Sequence, residues 1–242
     1  MTAGRRRGGI TVSTTTAWYY DEFKQIGTDY ASAEEVARYD ERMAKIRNLE
    51  EECEAILALL DVPPGARVLD LGCGTCEFAI RAARRCCSVI AADISPVMLE
   101  YAAGKAQAHG VGEIEFVRAG LLSFQFADES LDAVVTQLAL HHLSDFWKGM
   151  ALRRIWRALK RGGRFYLRDV VYPFGIDDAP EMLEKWIGDL KSMRSNVECH
   201  IRDEHSTFDW IMEGLLRSAG FTIFLARQQG AAPMIEYLCL KP

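Results

Sequence analysis

One segment, residues 68–78, constrains the fold of this 242-residue chain more than any other. A short apolar run over 68–71 leads into a turn that contains Gly72 and Gly74, and the turn leads into a helical pattern. Glycines let the backbone pass close to a ligand, and open parallel sheets bind ligands at the carboxyl ends of their strands. Many strand-to-helix turns, however, contain glycine without binding anything. The segment predicts a strand–turn–helix unit, and its neighbours decide whether the turn binds a ligand.

The rest of the chain alternates short apolar runs with amphipathic segments. The runs that predict further strands are residues 88–92, 114–118, 131–136 and 164–171. Apolar strands without alternation are typical of a parallel sheet that helices cover on both faces. Two last strands, 221–226 and 235–240, can pair as a hairpin at the sheet edge, so we expect a mixed sheet.

The remaining regions give the domain organisation. Residues 1–16 carry three arginines with no apolar run behind them, so we expect a flexible tail and not a secretory signal. Residues 17–62 are expected to be an N-terminal arm with one long amphipathic helix. Residues 63–242 form the main domain, in which 172–205 is a cap-like insertion with a helix over 180–196.

Charge and composition narrow the partners. The formal net charge is −5, with 34 acidic and 29 basic residues, whereas a nucleic-acid surface is normally strongly basic. The longest apolar runs have six residues, and a membrane helix needs about 20. Seven cysteines without framework spacing are typical of reduced thiols in the cytoplasm. We therefore expect a cytoplasmic protein with a small-molecule partner and no nucleic-acid or membrane partner. No pattern fixes its oligomeric state.

Two kinds of nucleotide ligand are candidates for the glycine turn. A dinucleotide site would place a third glycine where this chain has Glu77, an anion that would repel a diphosphate. A nucleoside with an amino-acid cation is better matched by Asp70 and the glycine backbone. Asp93 follows the next strand and has the position to accept both ribose hydroxyls. Asp93 can instead cap the helix that follows it, although Ser95 can fill that role.

Five runs of sequence extend the pattern across residues 66–171: VLDLGCGT, AADISPVMLEYA, FVRAGLLSF, LDAVVTQLALHHL and LKRGGRFYLRDV. In order and spacing they resemble the class I S-adenosylmethionine-dependent methyltransferase family, in its small-molecule, methyltransferase 11 type. The resemblance implies an α/β, Rossmann-like, seven-stranded, mostly parallel sheet with an antiparallel last strand. It also implies methyl transfer from S-adenosylmethionine to a small-molecule acceptor, which yields S-adenosylhomocysteine. A protein that keeps the fold but only binds a metabolite or partner is the alternative.

The resemblance also implies positions for the cofactor. Asp70 would lie near the methionine amino group, the turn at 72–74 near the carboxylate, and Asp93 at the ribose. Ile94 and Met98 would flank the adenine. The full set of expected cofactor-binding residues is Asp70, Gly72, Cys73, Gly74, Asp93, Ile94, Met98, Gly120, Leu121 and Gln137.

Two positions depart from the family pattern. The family usually has glycine at the position of Cys76, and the cysteine side chain can crowd the methionine part of the cofactor. The family also usually has an acidic residue, which reads the adenine amino group, at the position of Gly120. Its absence removes one hydrogen bond, worth about 0.5–1.5 kcal/mol. Main-chain groups near Leu121 can still contact the adenine.

The chemistry requires few catalytic groups. The methyl donor is already activated, so the protein mainly aligns the acceptor and excludes water, and a base is needed only if the acceptor loses a proton. The candidates are His141, His142 and Asp169. Either histidine can instead pack against or cap a neighbouring helix, and Arg168 can pair with Asp169. Adjacent histidine side chains diverge and no acidic or cysteine ligand stands at the right spacing, so no metal is expected.

Aromatic residues outside the motifs are expected to surround the acceptor. The candidates for the substrate pocket are Tyr19, Tyr20, Phe23, Trp147, Arg168 and Tyr172. The aromatic members can equally attach the arm and the insertion to the sheet. The fourth-strand motif lacks the Pro-Pro-aromatic signature of base-amine and glutamine methylation, and the chain lacks the Pro-Cys pair of cytosine methylation. Together with the acidic charge, this favours a small-molecule acceptor.

Overall fold

The computed structural model describes residues 17–24, 32–44, 47–85, 87–230 and 232–242. The tail predicted for residues 1–16 lies outside the described residues. A mixed β-sheet forms the centre of the fold. Its strands are β1 (Arg67–Leu71), β2 (Ser88–Asp93), β3 (Ile114–Arg118), β4 (Leu131–Gln137), β5 (Leu159–Tyr172), β6 (Thr207–Phe208), β7 (Thr222–Gln228) and β8 (Met234–Leu240).

The strand order places a crevice beside β1. Across the sheet the order is β3-β2-β1-β4-β5-β8-β7, and the two-residue β6 pairs with the end of β5. The pairs from β3 to β5 are parallel, and β8 lies antiparallel between β5 and β7. This confirms the expected α/β sheet with an antiparallel last strand. Because β2 lies on one side of β1 and β4 on the other, a ligand crevice is expected at the carboxyl end of β1.

Helices cover both faces of the sheet. They are α1 (Ala33–Ala44), α2 (Leu49–Leu60), α3 (Glu77–Arg84), α4 (Pro96–Ala108), α5 (Asp145–Ala158), α6 (Ala179–Asp189), α7 (Arg194–Asp203) and α8 (Asp209–Ala219). On β1, Leu69 and Leu71 pack into the core that α5 and α8 cover, and Val68 packs into the core beneath α2, α3 and α4. Burial on both faces explains why the strand shows no alternation. Within the described part of the chain, no helix is both long and apolar enough to cross a bilayer.

The prediction of one long helix in the arm is wrong. The described residues form two helices there, α1 and α2, because Asn48 interrupts the pattern as an N-cap whose side chain accepts a hydrogen bond from the backbone N–H of Glu51, at 3.3 Å. A local cap of this kind satisfies helix N–H groups and starts a new helix within the same apolar period. The second helix ends at Asp61, which adopts a left-handed conformation.

Two further boundaries differ from the sequence pattern. The helix expected over 180–196 is divided into α6 and α7 by a 3-10 turn, Lys191–Met193, after Leu190 leaves the helical conformation. The strand expected from residue 164 begins earlier, at Leu159, because the backbone of Gly162 and Gly163 pairs with Lys241 and continues the ladder. Neither change alters the strand order.

Candidate functional site

A cavity opens at the carboxyl ends of β1, β2, β3 and β4, at the crevice beside β1. Its wall contains most of the expected cofactor-binding residues: Gly72, Gly74, Asp93, Ile94, Met98, Gly120, Leu121 and Gln137. The motifs of four separate strands therefore meet at one site, as expected where strand ends share an edge.

The two other expected residues, Asp70 and Cys73, lie behind the cavity wall. Asp70 is buried at the end of β1, and burial together with the nearby charge of Asp93 raises the pKa of its carboxyl to about 7. The Cys73 thiol is also buried, which raises its pKa. Both residues support the turn from within the fold.

The glycine turn is tied to the end of β2. The backbone N–H groups of Gly72 and Cys73 donate to the carbonyl of Ala92, at 2.8 and 3.0 Å. Gly72 has a φ of +78°, and a Cβ atom there would lie 2.7 Å from the Cβ of Ala139. Gly74 has a φ of +50° with open space beside it. Only glycine suits the first position, since a side chain would be both strained and in collision.

Asp93 bridges the turn and the helix that follows it. One carboxylate oxygen accepts from the Gly74 N–H and the other from the Ser95 N–H, both at 2.9 Å. Ser95 supplies the side-chain cap of α4 by accepting from the Met98 N–H at 3.1 Å. Burial raises the pKa of Asp93 against the effect of its backbone donors. The carboxylate is thus held at the cavity wall with a further acceptor site on each oxygen.

The arm covers this site at residues 17–24. Tyr20 lines the cavity, and its ring lies 6.1 Å from that of Trp147 on α5. Tyr19 packs on Trp147 at 5.0 Å and donates its hydroxyl to the carbonyl of Leu122, at 3.3 Å. Phe23 lies beneath the guanidinium of Arg118, at 5.3 Å. Of these arm aromatics, the structure brings Tyr20 to the wall and uses the others to attach the arm.

The two remaining residues proposed for the substrate pocket lie elsewhere. Arg168 is buried and its guanidinium contacts the carboxylate of Glu52 at 2.5 Å, so it does not pair with Asp169. Tyr172 is buried against Phe174, with ring centroids 5.5 Å apart. Neither side chain lines the cavity, because strand-end residues of β5 face the arm and the insertion.

Glu22 is a cavity residue that the sequence patterns did not indicate. It lies in the arm, it is 9% exposed, and its Oε2 accepts from the Leu122 N–H at 2.8 Å. Its Oε1 is buried and has no hydrogen-bond partner among the described residues. Burial raises the pKa of the carboxyl despite donors from Leu122 and Ser123. The only sequence signals were an acidic residue within the arm's aromatic cluster and the absence of the usual acidic residue at position 120.

The two candidate histidines take different positions. His142 lines the cavity, whereas His141 is buried behind it, with Nδ1 2.5 Å from Oδ1 of Asp169 and Nε2 3.1 Å from Oε2 of Glu204. Burial opposes protonation of His141, but the two carboxylates outweigh it and raise its pKa to about 9. Burial and the neighbouring His141 lower the pKa of His142 to about 4. At neutral pH the buried imidazole is charged and the cavity imidazole is neutral.

No acidic residue stands at ligand spacing from the histidines along the chain, but the fold brings Glu204 to them. Glu204 comes from the end of the insertion, and its carboxylate pairs with both His141 and His200. One ligand atom from each of His141, His142 and Glu204 lies within 4.8 Å of the others. The insertion supplies this group across a long sequence separation, so spacing along the chain gave no sign of it. The expectation of no metal stays a prediction.

The sequence matches known methyltransferases. Residues 68–163 match the family model described as Methyltransferase domain. The chain is 33% identical over 144 residues to the uncharacterized methyltransferase YcgJ of Bacillus subtilis, which covers 60% of this chain and 53% of that protein. It is 32% identical over 174 residues to the ubiquinone/menaquinone biosynthesis C-methyltransferase UbiE of Vibrio campbellii, which covers 65% of each. The chain thus spans between about half and two thirds of these relatives' length.

Solved structures share the fold. The crystal structure of YcgJ superposes with a TM-score of 0.60 at 24% identity, over 74% of this chain and 71% of that chain. The [4+2]-cyclase SpnF superposes with a TM-score of 0.62 at 20% identity, over 79% and 80%. At these identities the likeness concerns the fold alone. The family match and the sequence relatives confirm the resemblance to methyltransferases.

Proposed function

We propose that this chain, which carries a methyltransferase domain at residues 68–163, transfers a methyl group from S-adenosylmethionine to a small-molecule acceptor and releases S-adenosylhomocysteine. The observation that carries the proposal is the single cavity wall in which the glycine turn and Asp93 meet the neutral His142. The first two suit the cofactor, and the histidine suits an acceptor that must lose a proton.

The wall fits the cofactor in its polarity and shape. Gly74 leaves open space beside its backbone for the amino-acid part, and Gly72 lines the same cavity. The carboxylate of Asp93 would accept hydrogen bonds from ribose hydroxyls, and Ile94 and Met98 offer apolar contact to a flat base. When bound, S-adenosylmethionine supplies an activated methyl group.

His142 is the residue that we propose as the base. Its low pKa keeps the ring neutral, so its unprotonated nitrogen can accept a hydrogen bond from an acceptor group in the cavity and take up the proton as methylation makes that proton more acidic. His141 and Asp169 do not line the cavity. We propose that they act as positioning residues, because the charged His141 contributes to the low pKa of His142.

The acceptor side of the cavity favours a compact, largely apolar molecule. Tyr20, Leu138, Ala139 and Leu143 form this side around His142. The relative UbiE is named for methylation in quinone biosynthesis, which is small-molecule chemistry. We propose that the insertion at 172–205 supports the acceptor side through Glu204 and not through aromatic residues.

We further propose a cytoplasmic location without a nucleic-acid partner. The net charge of −5 supports the latter. Among the described cysteines, Cys53, Cys73, Cys76, Cys199 and Cys239 are free thiols, which suits a reducing compartment. The division into a tail, an arm over 17–62 and a main domain over 63–242 is part of the same proposal.

The test is to incubate the protein with methyl-labelled S-adenosylmethionine and a cell extract that has been separated into small molecules, proteins and nucleic acids. We expect the label in the small-molecule fraction, and we expect Asp93→Ala to abolish it. Label in protein or nucleic acid would contradict the acceptor class. The alternative of a non-catalytic protein, or of other chemistry on a fold that a cyclase also uses, predicts binding of S-adenosylhomocysteine without any labelled product.

A further inference from the structure

We propose that Glu22, in the N-terminal arm, recognises the exocyclic amino group of the cofactor's adenine and sets the specificity for that base. The inference rests on the proposed function, since it takes S-adenosylmethionine as the ligand. It assigns to the arm a part of cofactor recognition that the strand motifs of this chain do not supply.

The first observation is the space beside Gly120. A Cβ atom at this position would lie 2.5 Å from Oε2 and 2.6 Å from Cδ of Glu22. It would also lie 2.7 Å from Cγ2 of Ile94. The carboxylate of Glu22 therefore occupies the volume that any side chain of residue 120 would enter. Glu22 can occupy this position only because residue 120 is a glycine.

The second observation is how the carboxylate is held. Oε2 accepts from the Leu122 N–H at 2.8 Å, and the carbonyl of the same residue accepts from the Tyr19 hydroxyl at 3.3 Å. A guanidinium N–H of Arg154 donates to that hydroxyl at 3.4 Å. The arm is thus fixed in register against the loop after β3. A fixed carboxylate discriminates between ligands better than a mobile one, because it cannot move away from a repulsive partner.

The third observation is the unpartnered oxygen. Oε1 is buried, and no group in the described part of the chain donates to it. A buried carboxylate oxygen without a donor is costly. Since Glu22 lines the cavity, a ligand with an N–H or O–H donor at this point would remove that cost.

The order of groups along the wall identifies the donor. The glycine turn and Asp93 contact each other through the Gly74 N–H, and the amino-acid part and the ribose are proposed to bind there. Ile94 follows Asp93 in the chain, and a Cβ atom at Gly120 would meet both Ile94 and Glu22. The base is therefore the part of the ligand that approaches Glu22, and the amino group is the only strong donor on adenine. A base with a carbonyl in its place would present an acceptor to a carboxylate and would be repelled.

The test is isothermal titration with S-adenosylhomocysteine and with its hypoxanthine analogue, S-inosylhomocysteine. We expect the wild-type protein to prefer the adenine ligand by about tenfold or more, the range of one charge-assisted hydrogen bond. Glu22→Ala should lose most of that preference. Glu22→Gln keeps the size of the side chain and should also lose it, because an amide can donate to the hypoxanthine carbonyl. Asp21→Ala is the matched control, since it removes a carboxylate from the same arm at an exposed position outside the cavity wall.

A second pair of variants tests the exchange between the two positions. Gly120→Asp alone should weaken binding, because the new side chain collides with Glu22. In the Glu22→Ala, Ile94→Ala background, which removes both side chains that a Cβ atom at residue 120 would meet, Gly120→Asp should restore the preference for adenine. If the Glu22 variants lose affinity for both ligands equally, or if their preference is unchanged, Glu22 only attaches the arm and the inference is overturned. If the wild-type protein binds neither ligand, the proposed function itself fails.

Discussion

Cys76 tests how the backbone shapes the glycine turn. Its φ of 71° and ψ of 23° lie in the left-handed region, which costs an L-residue about 1–2 kcal/mol. Its side chain is fully buried in the core beneath α2, α3 and α4, and it does not line the cavity. The usual glycine of the family is thus explained by the backbone conformation and not by contact with the cofactor.

The expected stability changes separate the side chain from the backbone. Cys76→Ala removes Sγ and keeps the strain, so it should lower the free energy of unfolding by about 1 kcal/mol. The further step to Gly removes a Cβ worth about 0.8 kcal/mol and adds about 0.5–1 kcal/mol of backbone entropy, but it releases about 1–2 kcal/mol of strain. These contributions nearly cancel. The Gly and Ala variants should therefore agree within about 0.5 kcal/mol.

The assay is urea unfolding, with Ala79→Gly as the matched control. Ala79 is fully buried in α3, three residues further on, and lacks the positive φ. The same Ala-to-Gly change there should cost about 1.3–1.8 kcal/mol. If the step costs as much at residue 76 as at residue 79, the strain argument is wrong. Affinity for S-adenosylhomocysteine should change by less than about twofold in both Cys76 variants, and a tenfold tightening in Cys76→Gly would instead support crowding by the thiol.

Three further predictions follow from the site. His142→Ala should lower kcat by about 10²–10⁴-fold with little change in S-adenosylhomocysteine affinity. At saturating cofactor, wild-type kcat should fall as the pH approaches the His142 pKa of about 4, and an unchanged kcat in the variant would exclude the base. Because its pKa is raised, the charged His141 stabilises the fold, fully below pH 6.5 and progressively less as the pH rises through about 9. The wild-type free energy of unfolding should therefore decline between these two pH values. Asp169→Asn should cost about 3–5 kcal/mol and flatten the decline, and an equally steep decline in this variant would contradict the pairing. Gly72→Ala should destabilise the fold more than Gly74→Ala in urea unfolding, because only the first adds a collision, at 2.7 Å, to the left-handed strain.

The sequence predicted the sheet better than the helices for a physical reason. A strand such as β1 is buried on both faces, so the sequence shows it as an apolar run. The glycines that end the strand follow within the same eight residues, 67–74. A helix in the arm is recognised only by its apolar period. That period continues across Asn48, although the helical backbone conformation does not. Whether a capping residue ends one helix and begins another depends on tertiary contacts that the period does not encode.

Site residues that are positioned by their own strand were predictable from the sequence, and those positioned by a distant partner were not. Gly72, Gly74 and Asp93 are positioned by the strands they follow, so local sequence was sufficient to place them at one wall. Arg168 lies within β5 beside the end of β4, yet its side chain turns to Glu52. Its partner lies in α2, and no spacing rule connects the two.

The residues that sequence reasoning missed share one property, which is that each reaches the cavity region from a segment outside the strand motifs. Glu22 contacts Leu122 across 100 residues, and Glu204 reaches His141 from the end of the insertion. The sheet edge fixes the turn and Asp93 and leaves gaps that distant side chains fill, as Glu22 does beside Gly120. The absence of a motif residue therefore has to be interpreted together with the side chain that fills its space. An absent acidic side chain at 120 indicates lost recognition only if nothing else occupies its volume, and here a carboxylate does.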